Sequence, residues 1–137
     1  MKKVLALILL SVGLCGCTTK PYQGNSSFAT PYQASGLFGG YEERRLSENS
    51  FKVFFHGNRY TRGERAADFA LLRSAEVADQ HGFPYFVVAE EEAPAASSRG
   101  NTNICFKEKP ERPGVIHDAK SVQQSIREKY KISSASQ

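Results

Sequence analysis

Apolar and polar residues alternate over residues 51–56: Phe51, Val53 and Phe55 fall on one side, Lys52, Phe54 and His56 on the other. That period of two predicts a half-buried strand. Residues 41–46 predict an edge strand whose charges discourage unwanted pairing, and Ser47-Glu48-Asn49-Ser50 predicts the turn between the two. Gly57-Asn58 ends this hairpin. The period then lengthens. Thr61-Arg62-Gly63-Glu64 has the spacing of a capping box, and a helix is expected to run from it to about His81. Ala67, Leu71, Ala75 and Ala78 share one face of it, widened by Phe69 and Leu72; Gly82 and Pro84 stop it. Residues 85–89 form a continuous apolar run that suits a strand in a central position. The acidic and Pro/Ala/Ser-rich stretch 90–103 is expected to be an exposed, mobile loop. A short strand over 104–109, a break at 110–114, and a last helix opening at Asp118 complete the pattern. Ala119, Val122, Ile126 and Tyr130 give that helix its apolar face.

The order β-β-α-β-β-α predicts the α+β class: a small two-layer domain with about four mostly antiparallel strands and two helices on one face. Its expected core is Phe51, Val53, Phe55, Leu71, Val87, Ile104, Phe106, Val122 and Ile126. The domain is expected over 40–132, with a disordered tail at 133–137.

Ahead of residue 40 periodicity disappears. Residues 18–39 are rich in Gly, Ser, Asn, Gln and Pro and read as a flexible tether, roughly 25 Å r.m.s. for such a length. Within it Pro21-Tyr22-Gln23 recurs as Pro31-Tyr32-Gln33, which reads as low-complexity drift. Met1-Lys2-Lys3 and the apolar run 4–14 precede the tether. As a helix that run is roughly 16 Å long against a hydrocarbon core of about 30 Å, so it suits a secretory signal rather than a span.

Leu14-Cys15-Gly16-Cys17 resembles the lipobox of bacterial lipoproteins, with Cys15 a mild departure from the usual Ala, Ser or Thr. The resemblance implies cleavage after residue 16 and lipidation of Cys17, which becomes the first mature residue and the membrane anchor. The expected division is thus 1–16 signal, 17–39 lipidated Cys and tether, and 40–132 domain. Thr18, where Asp would favour inner-membrane retention, implies the periplasmic face of the outer membrane.

Cleavage would take Lys2 and Lys3 from the 18 basic residues and none of the 14 acidic ones, leaving a mature charge of about +2 with mixed signs. That balance and the periplasmic address argue against a nucleic-acid partner. Of three cysteines only Cys105 would remain for the domain, which forbids an internal disulfide and suits a small buried hydrophobe.

A wider resemblance spans nearly all of the mature chain. Thr30-Pro31-Tyr32, Gly40-Tyr41, Glu43, Arg45-Leu46, Asn49, Phe51, Val53, Gly57-Asn58 and Thr61 carry its first half. Leu71-Leu72-Arg73, Ala75-Glu76, Gly82, residues 85–88, Asp118-Ala119 and Val122 carry the second. Together they resemble an uncharacterised proteobacterial lipoprotein family, which implies a lipid-anchored α+β domain and no particular chemistry.

Catalytic signals are absent from the sequence. His56, His81 and His117 have no metal-ligand spacing, and no nucleophile elbow, phosphate loop or dinucleotide fingerprint occurs. Glu42-Glu43 and Glu90-Glu91-Glu92 supply carboxylates whose separation only a fold can set. Arg73 and Glu76, three apart on the helix, are placed to pair on its surface or to brace the sheet edge. The candidate ligand site is the strand-to-helix junction, where His56, Asn58, Arg59 and Arg62 meet a helix start able to hold an anion. No cofactor or metal is expected. The functional expectation is a non-enzymatic binding or structural module of the envelope, with an envelope protein or peptidoglycan as partner. A small periplasmic hydrolase or ligand-binding protein, its site built only in three dimensions, is the alternative.

Overall fold

A computed structural model describes Tyr32 and residues 39–133. Cys17, the lipobox, most of the tether and residues 134–137 lie outside the described residues. The elements are β1 (Gly40–Ser47), β2 (Ser50–His56), α1 (Gly63–Gln80), β3 (Tyr85–Ala95), β4 (Ser98–Phe106), β5 (His117–Asp118) and α2 (Ala119–Tyr130). The strands form one antiparallel sheet in the order β1-β2-β4-β3-β5. The α+β class is as expected, with five strands instead of four; the fifth is a two-residue edge beside Phe86.

The alternation in β2 does what its period requires. Phe51, Val53 and Phe55 are buried beneath α1, while Lys52 and Phe54 stand on the opposite face. Register carries this to the neighbours. Val53 lies opposite Asn101, and Phe51 opposite Asn103, so β4 turns Asn101, Asn103 and Cys105 toward the helices. Ile104 and Phe106, expected in the core, therefore fall on the other face and are only half-buried. The two inward amides are supplied from the helix: Asn103 Nδ2 donates to Ser74 Oγ at 2.8 Å, and Ser74 Oγ donates to the Ala70 carbonyl at 2.8 Å. Asn101 Nδ2 also reaches Ser74 Oγ, at 3.4 Å, so the amino half of each amide is bonded. The Asn103 Oδ1 is buried with no hydrogen-bond partner among the described residues, a cost that the site carries. Burial pushes the Cys105 thiol up to about 11, so it remains a protonated hydrophobe at neutral pH.

The expected loop at 90–103 is instead the greater part of a long hairpin. β3 continues to Ala95 and pairs with β4 as far as Ala95–Ser98, with a bulge between Val88 and Glu90. The bulge shifts the alternation by one residue, placing Glu90 and Glu92 on the open face. Glu92 is held there by Lys52, whose Nζ donates to Oε1 at 2.5 Å. The close fit at the hairpin tip shows at Gly57, whose amide donates to the Ser97 carbonyl at 2.9 Å. A Cβ on that glycine would lie 2.4 Å from the same oxygen.

α1 ends as expected. Gly82 takes φ +80°, its amide donates to the Asp79 carbonyl, and the Phe83 amide donates to that of Ala78, the pair of bonds of a Schellman motif. Its start differs. The N-cap residue is Arg62, with no side-chain cap bond. Thr61 Oγ1 donates to Asn58 Oδ1, and Glu64 is taken by Lys129, whose Nζ donates to it at 2.6 Å. A capping box was the expectation; a full cation from α2 outcompetes a local amide for the carboxylate. α2 starts as expected, Asp118 accepting from the Ser121 amide at 2.8 Å.

These two carboxylates set an acid limit. The hydrogen bond from Lys129 holds the Glu64 carboxyl below its ordinary value, and the hydrogen bond from the Ser121 amide does the same for Asp118. Folded carboxylates with lowered pKa bind protons after the unfolded chain does. Their stabilisation is therefore complete above the ordinary carboxylate values and is lost as the pH falls through them. Thermal melts between about pH 6 and about pH 2 should show a falling midpoint, with a shallower fall in Glu64→Gln/Asp118→Asn.

Candidate functional site

Both helices lie on one face of the sheet. There, an ionic cluster grows around Glu76. Arg73 Nη1 donates to Glu76 Oε2 at 3.0 Å, Arg127 from α2 donates to Oε1, and Arg73 Nε reaches Glu43 Oε2 on β1 at 2.6 Å. The Arg73–Glu76 pair expected from its spacing thus forms, buried rather than exposed, and braces the β1 edge. Burial works against the Arg73 charge, but the Glu43 and Glu76 carboxylates outweigh it and hold the guanidinium protonated.

The fifth member of the cluster comes from the segment read as a tether. Tyr32 is 2% exposed, and its hydroxyl donates to Glu76 Oε2 at 2.5 Å. Burial, then the Glu76 charge, push that hydroxyl far above the ordinary phenol range, so it is a permanent donor. Its ring packs against Tyr41 at 5.2 Å and edge-on to Phe69 at 5.3 Å. Tyr32, within the segment read as a tether, is therefore packed into the domain. Composition reads this stretch as a flexible tether and its Pro-Tyr-Gln repeat as low-complexity drift, so the burial of Tyr32 is a correction to that reading.

Among the described residues no helix covers the other face of the sheet. Lys52, Phe54 and His56 stand in a row along β2. Phe54 stacks parallel to the His56 ring at 5.4 Å, and Lys52 Nζ lies 5.3 Å from the Phe54 centroid. The Phe54 ring covers Gly100 of β4, where a Cβ would come within 2.6 Å of it. Carboxylates flank the row, Glu92 on Lys52 and Glu42 on His56, whose Nε2 lies 3.3 Å from Glu42 Oε1. Glu42, Glu43, Arg44, Lys52 and Phe54 line a groove of about 410 Å³. Such a floor can stack a flat ligand face on Phe54 while Lys52 donates and Glu42 accepts around its rim.

Of the residues read as an anion site, His56 belongs to this open face. The others lie in the β2–α1 connection. Asn58 Oδ1 accepts from the Tyr60 amide and Thr61 Oγ1, Arg59 Nη2 donates to Tyr60 Oη at 2.6 Å, and Arg62 is the N-cap residue of α1. What sequence reasoning missed is the part of the groove given by Arg44, Lys52 and Phe54. Strand alternation puts Lys52 and Phe54 on one face and the β1–β2 hairpin sets Glu42 beside them, but only the sheet order brings Glu92 of β3 within reach of Lys52. Among the described residues no group of three or more His, Cys, Asp or Glu is placed to hold a metal ion. Nor, among them, is any helix long and apolar enough to cross a membrane.

No family model, curated protein or solved structure matches the chain.

Proposed function

We propose that this is a lipid-anchored envelope protein, held through Cys17 at the periplasmic face of the outer membrane. Its domain acts as a non-catalytic binding module toward an envelope partner, protein or peptidoglycan. The Leu14-Cys15-Gly16-Cys17 motif, placed directly after a short apolar run, supports the address. The observation that carries the binding reading is the uncovered face, where Phe54 lies in a charged groove between Lys52–Glu92 and His56–Glu42. On the helix-covered side, by contrast, Glu76 is spent on holding Arg73, Arg127 and Tyr32 together.

Fractionation tests the anchor. Cys17→Ser should move the protein from membranes to the soluble periplasm with an unchanged melting temperature; a variant that stays with membranes sinks the proposal. Phe54→Ala tests the face. Purified sacculi and in-cell photocrosslinking from position 102 should separate a peptidoglycan partner from a protein one. Loss of an aromatic at the centre of such a contact should weaken either by more than about tenfold. The hydrolase alternative rests on the His56–Glu42 contact, and turnover abolished by His56→Ala would favour it over the binding module.

A further inference from the structure

Tyr32 precedes β1 and lies outside every strand and helix, yet it is among the most deeply buried aromatics described. Its pocket recognises a side chain rather than a backbone register. Tyr41 and Phe69 hold the ring, and Glu76, fixed by Arg73 and Arg127, takes the hydroxyl. The same tripeptide, Pro-Tyr-Gln, stands ten residues upstream. We propose that this pocket is a tyrosine-binding site, and that Tyr22 of the same chain, in the repeated Pro21-Tyr22-Gln23, is its second occupant, exchanging with Tyr32.

The two copies bring identical ring, hydroxyl and flanking residues, so they differ first in the loop each closes. Tyr32 stands seven residues before Gly39 and Tyr22 seventeen. The closure entropy of flexible loops of these lengths favours the shorter by about fourfold. Tyr32 is thus the majority occupant, with Tyr22 in roughly one molecule in five. The exchange also changes the leash. Tyr32 stands fifteen residues beyond Cys17, and Tyr22 only five. At full extension these reach about 50 Å and about 17 Å. Where Cys17 carries lipid, which rests on the anchor proposed above, occupancy by Tyr22 draws the domain down to the bilayer surface.

The exchange itself needs no lipid, and it is read on the intact chain in detergent, labelled with 3-fluorotyrosine and followed by fluorine NMR. Wild type should show one buried tyrosine signal for the pocket with a minor companion that disappears in Tyr22→Phe. Tyr32→Phe keeps the ring and the fold but removes the donor to Glu76. A hydrogen bond to a charged group is worth more than about tenfold in occupancy, enough to reverse the fourfold loop advantage. The Tyr22 resonance should therefore move to the buried position in Tyr32→Phe, and the pocket signal should vanish only in Tyr22→Phe/Tyr32→Phe. A Tyr22 resonance at the same shift in wild type and in Tyr32→Phe, with no minor pocket signal in wild type, overturns the exchange. Membrane release of Cys17→Ser is a separate result and leaves this one standing or falling alone.

Discussion

Phe69→Ala is expected to destabilise the domain by about 3–5 kcal/mol, the range for deleting a large buried aromatic. The ring is fully buried and lies where three parts of the chain meet. It makes edge-on contacts to Phe55 of β2 at 5.1 Å, to Tyr130 of α2 at 5.0 Å and to Tyr32 at 5.3 Å. The Arg65 guanidinium sits 4.9 Å from its centroid. Each aromatic pair adds about 0.5–1.5 kcal/mol beyond area burial, so the site belongs at the upper end of the range. Alanine leaves a void that cannot close, because the sheet, the second helix and the tether all rest on the same ring. Urea unfolding measures the effect as a lower midpoint at unchanged slope. Leu46→Ala, at a side chain 48% exposed on the edge strand, should stay within about 0.5 kcal/mol of wild type. Comparable losses at both positions would show that Phe69 is not the centre of the packing.

How much of this was legible in the chain depends on whether a residue's fate is decided by its neighbours or by something distant. The β2 alternation, the Gly82 stop and the Asp118 cap are local, and each could be read directly. The failures are all competitions won from far away. Glu64 has the spacing to cap its own helix, but Lys129, sixty-five residues on, holds it. Glu90-Glu91-Glu92 reads as solvated loop, yet pairing with β4 and the Lys52 ammonium across the sheet make it strand. Ile104 and Phe106 look like core beside Asn103 and Cys105. The register to β2 decides the face, and Ser74 on α1 supplies the partner that lets an amide go inside. The groove was legible in its Lys52-Phe54-His56 row and in the hairpin that sets Glu42 beside it; Glu92 was not, because it comes from β3, which lies beyond β4 in the sheet.

Glu76→Ala should cost about as much as Phe69→Ala, for a different reason. Its carboxylate is the shared acceptor of Arg73, Arg127 and the Tyr32 hydroxyl, and its side chain is only 9% exposed. Removing one partner of a buried ion pair leaves the other charge without compensation in a medium that solvates it poorly, at a cost of about 3–5 kcal/mol. Here two guanidiniums and a phenol lose a shared acceptor at once; Arg73 keeps Glu43, and Arg127 keeps only the neutral Ser133 carbonyl. Glu76→Gln retains the shape and one acceptor oxygen but not the charge, so it should fall between alanine and wild type. Glu43→Ala removes a carboxylate 39% exposed at the sheet edge, where water can replace it, and should cost no more than about 1 kcal/mol. That order, alanine at 76 worst, glutamine at 76 intermediate, alanine at 43 mildest, is the signature of a buried charge cluster in urea titrations. Equal small losses at all three would mean that water reaches the cluster and that Tyr32 is held by its ring alone.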